Sequence, residues 1–485
     1  FIMEWTTEKR YLPYSKWDAD TLLHLQAQAA TSTYQMRYHL RPISGLVNDP
    51  NGFSYFNGEY HVFYQSYPFG AVHGLKSWVH FKSKDLVHWV NLGLAVEPDC
   101  KLDSHGAYSG SAKQIGDKLF LMYTGNHRDE SWSRHPYQIG AWMDRHGTVS
   151  DKHLLFKKPN NVTEHFRDPQ IMEENGTYYA ILGAQDTAQK HGHIDVWKSN
   201  DLKNWEEIDF LNFTNDEMGY MIECPNLVKV DGKSVLIFCP QGLDKSVTNY
   251  QNIYPNMYVI GDSVDLDKAQ MTNPSNLKNL DEGFDIYATQ AFNAPDGTAY
   301  AISWVGLPDI SYPTDNENWA NCLSQVKKLS IKDGKLIQQP VESIKTLRHD
   351  EETLNSQLIK NSTSGQYELE LTIKENQTGN LYLAANDDLS ENLRLEFDTK
   401  NGKLILDRSK AGDVAVKYGQ TRSVDLDANK EVKLDIFVDH SLIEIFVNDG
   451  EHVVSGRFFA NTKNAIKFDQ KINYDGKFWN MESIM

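Results

Sequence analysis

The chain reads as an all-β protein, a five-bladed β-propeller followed by a C-terminal β-sandwich, and three observations predict it. A turn followed by a short apolar or alternating run recurs five times: FNGEYHVFY from Phe56, IGDKLFLMY from Ile115, ENGTYYAIL from Glu174, VDGKSVLIF from Val230 and PDGTAYAIS from Pro295. SKDLVHW (Ser83 to Trp89) and SNDLKNW (Ser199 to Trp205) echo one another after the first and third copies. After residue 345 the repeat stops, and YELELTI, LRLEFD, KLILD, VKLDIFV and LIEIFV alternate cleanly.

Each copy is a hairpin signal, because Asn-Gly and Asp-Gly accept the positive φ angles of a tight turn and aromatic or β-branched residues suit the strand that follows. One coincidental turn would mean little, but the copies start 59, 59, 56 and 65 residues apart. A period near 60 with several strands per unit is that of a propeller blade, a small sheet that buries its faces only by stacking on its neighbours.

The 485 residues exceed the roughly 100–200 of a usual domain, and four segments are expected. Residues 1–35 form an N-terminal extension in which DADTLLHLQAQAAT (residues 18–31), with Asp18 as N-cap, makes an amphipathic helix with a packing role. Residues 36–345 form the propeller. LRHDEETLNSQ, within residues 346–362, reads as a polar, partly helical linker. Residues 363–485 form the sandwich, whose short alternating strands are joined by Asn-Gly and Asp-Gly turns.

Composition narrows the function. A net charge of −18, with no Lys/Arg run, argues against a nucleic-acid partner, which needs clustered cations to neutralise phosphates. Aromatic residues, at 12%, exceed what a bare core requires, and platforms for sugar rings are one use of them. Cys100, Cys224, Cys239 and Cys322 lack C-x-x-C spacing and read as free, mostly buried thiols. The start FIMEWTTEKR has no signal-peptide pattern and no stretch reaches the ~20 apolar residues of a membrane span, so a cytoplasmic protein with no membrane partner is expected. Met3 is the expected native start, with Phe1 and Ile2 a remnant ahead of it. Oligomeric state carries no signal.

Upstream of each hairpin a strand start carries a distinctive polar residue: Asp49, Ser109, Asp168, Glu223 and Tyr287, which stand 8, 8, 7, 8 and 9 residues ahead of the turn residue. Inner strands of a propeller line the central channel, so these positions converge at its mouth, and three of them are carboxylates. An isolated Asp before Pro is more often a turn former; its recurrence in step with the blades points to chemistry instead. Carboxylates sharing a pocket repel one another, raising at least one pKa, and glycoside hydrolysis requires one acid protonated and one ionised.

The motifs NDPNG (Asn48 to Gly52), FRDP (Phe166 to Pro169) and IECPN (Ile222 to Asn226), with FYQ (Phe63 to Gln65) and YSGS (Tyr108 to Ser111), resemble the glycoside hydrolase family 32 of invertases, inulinases, levanases and sucrose-6-phosphate hydrolases over nearly the whole chain. DHSLIEIFVNDG (Asp439 to Gly450) is close to that family's C-terminal sandwich motif, a domain that packs on the propeller. The resemblance implies Asp49 as nucleophile on the anomeric carbon of fructose, Glu223 as general acid/base and Asp168 as the stabiliser that binds fructose hydroxyls. Retention by double displacement implies carboxyls about 5–5.5 Å apart. Arg167 is expected to keep Asp168 ionised. Asn48, Gln65, Trp78, Tyr108, Ser109, Arg167, Tyr287 and Trp304 resemble the family's substrate-pocket residues, with core packing the other reading of the two tryptophans.

YTGNHRDESWSRHPYQ (Tyr123 to Gln138) and GFDIYATQ (Gly283 to Gln290) look most like the bacterial sucrose-6-phosphate hydrolases. The substrates so implied are sucrose 6-phosphate, sucrose and short fructo-oligosaccharides. Arg128 and Arg134, on the loop after the second blade's hairpin, are candidates for a phosphate on the glucose moiety, with solvated surface arginines as the alternative. His73 and Val79 depart from the Trp and Gly common at those positions. No cofactor is implied, and no metal motif is present. Two rivals stay open: a fructosyltransferase with the same triad, and a non-catalytic carbohydrate-binding propeller, disfavoured by the intact carboxylates.

Overall fold

In the computed structural model, which describes residues 3–412, 419–461 and 464–484, the chain forms a five-bladed propeller and a two-sheet sandwich. Phe1 and Ile2, read as a remnant, lie outside the described residues.

The blades start from the inner strands Gly45–Phe56, Ala107–Ile115, Val162–Glu174, Met221–Val230 and Ile286–Asn293. Each inner strand contacts the next, and the fifth returns to the first, closing the ring. All five expected hairpins form. Asn57-Gly58, Asn175-Gly176 and Asp231-Gly232 hold positive φ at both turn residues, a turn whose twist matches that of the strands it joins. The two echoes build one motif. The Ser83 and Ser199 hydroxyls accept from the N–H of Leu86 and Leu202, both at 2.9 Å, and so shape the turn into the outer strand.

Period-2 alternation fills the spaces between blades. On the second strand of blade 2, Leu119 and Leu121 pack toward Phe63 of blade 1, while Phe120 and Met122 pack toward Leu182 of blade 3. In blade 4, Leu236 and Phe238 face Ile181 of blade 3, while Val235 and Ile237 face Ala301 of blade 5. Each such side chain stabilises the stack by about 1.5–3 kcal/mol. The ring is clasped by Trp319–Ala320, parallel to Gly45 and Leu46 of blade 1, and by Cys322–Leu323, antiparallel to Trp304 and Val305 of blade 5.

Helix Ala19–Thr31 forms as expected, with the Asp18 carboxylate accepting the Asp20 N–H at 3.0 Å. It buries only Leu25 and Ala29, the latter against Met36 and Trp319.

The expected linker is a point of difference. A 3₁₀ helix, Glu342–Leu347, is followed by strands Arg348–Leu354 and Leu358–Lys360, which pair with Tyr474–Met481 and Ala465–Phe468 and so open the two sandwich sheets. Five of the seven residues of Arg348–Leu354 are exposed, so a strand with its side chains in solvent reads as polar coil. Its backbone nonetheless pairs along one side with Tyr474–Met481 at the edge of a sheet, with an irregularity between His349 and Glu352.

The sandwich docks through buried ion pairs. The His39 imidazole bridges Asp439 (2.7 Å) and Glu444 (2.5 Å), and Asp285 of blade 5 receives Arg408 Nη1 at 2.8 Å. Among the described residues no helix is long and apolar enough to cross a membrane. All four cysteines are free, with Cys100 half-buried and the others buried.

Candidate active site

In all five inner strands the ladder register slips at the channel mouth. Two residues face one partner at Asn48-Asp49, Tyr108-Ser109, Asp168-Pro169, Cys224-Pro225 and Ala288-Thr289. Such a bulge bends the strand and re-aims its side chains. In blades 3, 4 and 5 the first bulge residue, Asp168, Cys224 or Ala288, has a left-handed φ of 71°, 50° or 52°, at a cost of about 1–2 kcal/mol each.

The expected single blade position is corrected here. Asp49 and Ser109 are second bulge residues, Asp168 is a first, and Glu223 and Tyr287 immediately precede theirs. The distance from bulge to turn varies between blades, so counting back from the turn selects no fixed register. Convergence survives because the bulges share one ring.

One oxygen each of Asp49 and Asp168 and the Cys224 sulfur lie within 4.8 Å of one another. The Asp49 carboxylate accepts from Ser109 Oγ, from Asn48 Nδ2 at 3.2 Å and from the Cys224 thiol at 3.4 Å. Asp168 Oδ2 accepts the Cys224 backbone N–H at 3.0 Å. Glu223 accepts from Arg167 Nε (2.9 Å), Gln241 Nε2 (2.8 Å) and the Tyr287 hydroxyl (2.6 Å).

The electrostatics follow. Burial, then repulsion from Glu223 and Asp49, pushes Asp168 up to about 7. Burial also raises Asp49, opposed by the Ser109 hydroxyl and reinforced by Glu223. The expectation that Arg167 keeps Asp168 ionised is therefore corrected. The guanidinium is committed to Glu223 and to His165 Nδ1 (3.0 Å), and its attraction for Asp168 is outweighed by burial and by the two other carboxylates. Glu223 and Asp168 in turn hold Arg167 protonated despite its burial.

Asn48 and Gln65 form a relay, with Asn48 Nδ2 donating to Gln65 Oε1 at 2.5 Å and Gln65 Nε2 donating to the Ala107 carbonyl at 3.2 Å. Trp78 takes the packing reading. It is fully buried between Phe63 and Tyr123, and its indole N–H is satisfied by the Tyr108 carbonyl at 2.8 Å. Trp304 is also buried, but it abuts Tyr287 (ring centroids 5.8 Å) and His73 (6.2 Å), and its N–H lacks a protein partner. Tyr108 is half-buried at the rim and accepts from Asn126 Nδ2 at 2.9 Å.

Arg128 and Arg134 sit not on a free loop but opposite one another at the ends of paired strands. Arg128 packs over Trp132 (5.3 Å) and donates to its carbonyl at 3.0 Å. Arg134 lies near Tyr108, Arg167 and Arg128, its pKa lowered by burial, and its buried Nε has no partner.

Sequence reasoning missed Gln241, His165, Thr124, whose hydroxyl accepts the Asp168 N–H at 3.1 Å, and Lys76, whose ammonium donates to Asn48 Oδ1 at 2.5 Å. Thr124 could have been found, because it occupies the second-strand position opposite a bulge, as Gln65 does.

Three carboxyls ringed by polar donors at the axis of a five-bladed propeller, with a sandwich behind it, make the chain a glycoside hydrolase. Residues 39–340 match the family described as "Glycosyl hydrolases family 32 N-terminal domain", residues 335–481 match "Glycosyl hydrolases family 32 C terminal", and the chain belongs to glycosyl hydrolase family 32. It is 51% identical over 460 residues to the sucrose-6-phosphate hydrolase of Streptococcus mutans serotype c, covering 94% of this chain and 95% of that one. With the sucrose-6-phosphate hydrolase of Lactococcus lactis subsp. lactis it shares 46% over 486 residues, covering 99% and 100%. The structure of sucrose-6-phosphate hydrolase from Lactobacillus gasseri superimposes with a TM-score of 0.98 at 59% identity, covering 99% and 100%. A mutant Bombyx mori GH32 β-fructofuranosidase in complex with sucrose matches at 0.82 and 27%, covering 96% and 97%.

Proposed function

We propose that the protein is a retaining β-fructofuranosidase that hydrolyses sucrose 6-phosphate, and sucrose, to fructose and glucose 6-phosphate or glucose. The observation that carries this reading is the unequal dressing of two axial carboxyls. Asp49, held by hydroxyl, amide and thiol donors with no arginine of its own, is suited to attack. Glu223, gripped by Arg167, Gln241 and Tyr287, is suited to hold a carboxyl in one orientation through two proton transfers.

In this mechanism the Glu223 carboxyl gives its proton to the glycosidic oxygen as an Asp49 oxygen bonds to the anomeric carbon of fructose, and the glucosyl moiety leaves. Glu223, now a carboxylate, takes a proton from water, whose oxygen displaces Asp49 and frees fructose. Asp168, its pKa pushed up to about 7 by burial and by Glu223 and Asp49, accepts from the sugar's hydroxyls as a carboxylate and can also donate to them below that pH.

The phosphorylated substrate is supported by the names of the relatives and by Arg134, which among the described residues makes no ion pair with a carboxylate and faces the rim beside Tyr108 and Arg167. A guanidinium in that state suits a phosphate dianion. Cytoplasmic residence belongs to the same proposal, since a charged sugar phosphate does not cross a bilayer unaided.

The test is kcat/KM for sucrose 6-phosphate against sucrose, in the wild type and in Arg134→Ala and Arg128→Ala. Preference for the phosphorylated sugar, reduced at least tenfold by Arg134→Ala through KM, is expected. Equal values for both sugars in every variant would remove the phosphate from the proposal.

A further inference from the structure

Lys76 lies between His73 and Val79 in the segment GAVHGLKSWVHF. It is 3% exposed, immediately ahead of the blade 1 strand Ser77–Ser83. Its backbone is clamped on both sides. The Lys76 carbonyl accepts the Ala107 N–H of blade 2 at 2.9 Å. The neighbouring Leu75 gives its N–H to the Arg10 carbonyl (2.8 Å), and its own carbonyl takes the Tyr14 hydroxyl (2.5 Å). With its backbone fixed, Lys76 keeps its whole side chain in the interior, and a buried ammonium without an anion nearby costs several kcal/mol.

Its ammonium donates to Asn48 Oδ1 at 2.5 Å. An amide whose oxygen is taken by a cation must present its nitrogen to the other side, and Asn48 Nδ2 donates to Asp49 Oδ1 (3.2 Å) and Gln65 Oε1 (2.5 Å). Lys76 therefore fixes the amide whose N–H donates a hydrogen bond to the Asp49 carboxylate. The charges are also laid out on two sides: Arg167 is spent on Glu223, leaving Lys76 as the cation on the Asp49 side.

We propose that Lys76 is a positioning residue for Asp49, locking the Asn48 amide and supplying the counter-charge that keeps the attacking carboxylate ionised. This rests on the assignment of Asp49 as nucleophile. The other titratable groups around Asp49 are Glu223, Asp168 and the Cys224 and Cys239 thiols. The group beside Lys76 other than Asp49 is His73, kept neutral by burial and by Lys76 and Arg10. Every one of those neighbours is neutral or anionic below neutrality, so none replaces the ammonium. Burial brings Lys76 itself down to about 7, against the pull of Asp49. The cation is thus present on the acid side, where an ionised Asp49 has to be defended.

The test compares pH profiles of kcat/KM for wild type, Lys76→Gln, Lys76→Met and Lys76→Arg, with Tm as the folding control. Loss of the cation moves the acid limb to higher pH by about one unit, roughly a tenfold loss below that limb. The same shift is expected in Lys76→Gln, whose amide still donates to Asn48, and in Lys76→Met. Retention of the wild-type limb by a folded Lys76→Gln overturns the counter-charge role, even if Lys76→Met shifts, because the hydrogen bond alone then suffices. Lys76→Arg, if folded, keeps the limb, and a shift equal to that of Lys76→Gln overturns the proposal as well. Asp49→Ala is run alongside: turnover surviving in it refutes the nucleophile assignment, whereas an inactive Asp49→Ala with an unshifted Lys76→Gln refutes only the role of Lys76.

Discussion

Arg167 gives its Nε–H to Glu223 at 2.9 Å although Asp168 is its neighbour in the chain. The bulge at Asp168-Pro169 throws the two side chains apart, and the guanidinium crosses to the next blade. Arg167→Lys keeps the charge but loses the planar fork that holds Glu223 and His165 together. A fall of about 10²-fold in kcat/KM, largest for substrates with poor leaving groups, is expected from steady-state kinetics. Equal losses across a leaving-group series would argue that Arg167 serves binding rather than the proton donor.

Asp49→Ala should lower kcat by a factor on the order of 10⁴ or more with Tm unchanged or raised, since a half-buried carboxylate that two others repel is removed from a bulge position that makes no ladder pair. Glu223→Gln should slow the first half-reaction most where leaving-group protonation matters most. Activity close to wild type in Asp49→Ala, measured with sucrose, would sink the mechanism.

Asp168 predicts a pH-dependent stability. Its folded pKa of about 7 lies above the ordinary 3.8, so between these values the folded protein binds more protons than the unfolded chain. Stability from this group therefore falls as pH rises from 4 to 7 and then levels off. Asp168→Asn should be inactive yet more stable than wild type at pH 8, by at most about 4 kcal/mol, with the two curves merging below pH 4. Urea denaturation at both pH values measures this. A variant destabilised at pH 8 would contradict it.

His39 has the same sign in a higher pH window. Although burial works against its cation, Glu444 and Asp439 lift its pKa to about 9 from 6.5. The clamp between propeller and sandwich is thus fully present below pH 6.5 and is lost as pH rises through 9, a change worth about 3 kcal/mol. His39→Gln should flatten the decline in Tm between those values. An identical pH dependence in that variant would show that the clamp contributes nothing.

The hairpins, the blade period and helix Ala19–Thr31 were legible because each depends on contacts a few residues apart: a positive-φ pair such as Asn57-Gly58, a cap such as Asp18. The strand Arg348–Leu354 was not, since its partner lies over a hundred residues away and its side chains face solvent. Trp78 illustrates the limit of motif reading, because its place beside Asn48 and Gln65 in the family pattern does not say that Phe63 and Tyr123 enclose it.

By itself the sequence determined the number of blades, the three carboxyls and their convergence on the axis, all consequences of a local unit repeated around a ring, although not their common register. Only the tertiary structure decided which cation serves which carboxylate. Arg167 was free in principle to pair with Asp168, and Lys76 carried no motif at all. The bulges aim one across to Glu223 and the clamped loop aims the other at Asn48. The first choice depends on a distance between blades 3 and 4, and the second on a loop that Ala107 of blade 2 and Arg10 of the N-terminal extension hold in place; neither exists until those separate parts of the chain have packed together.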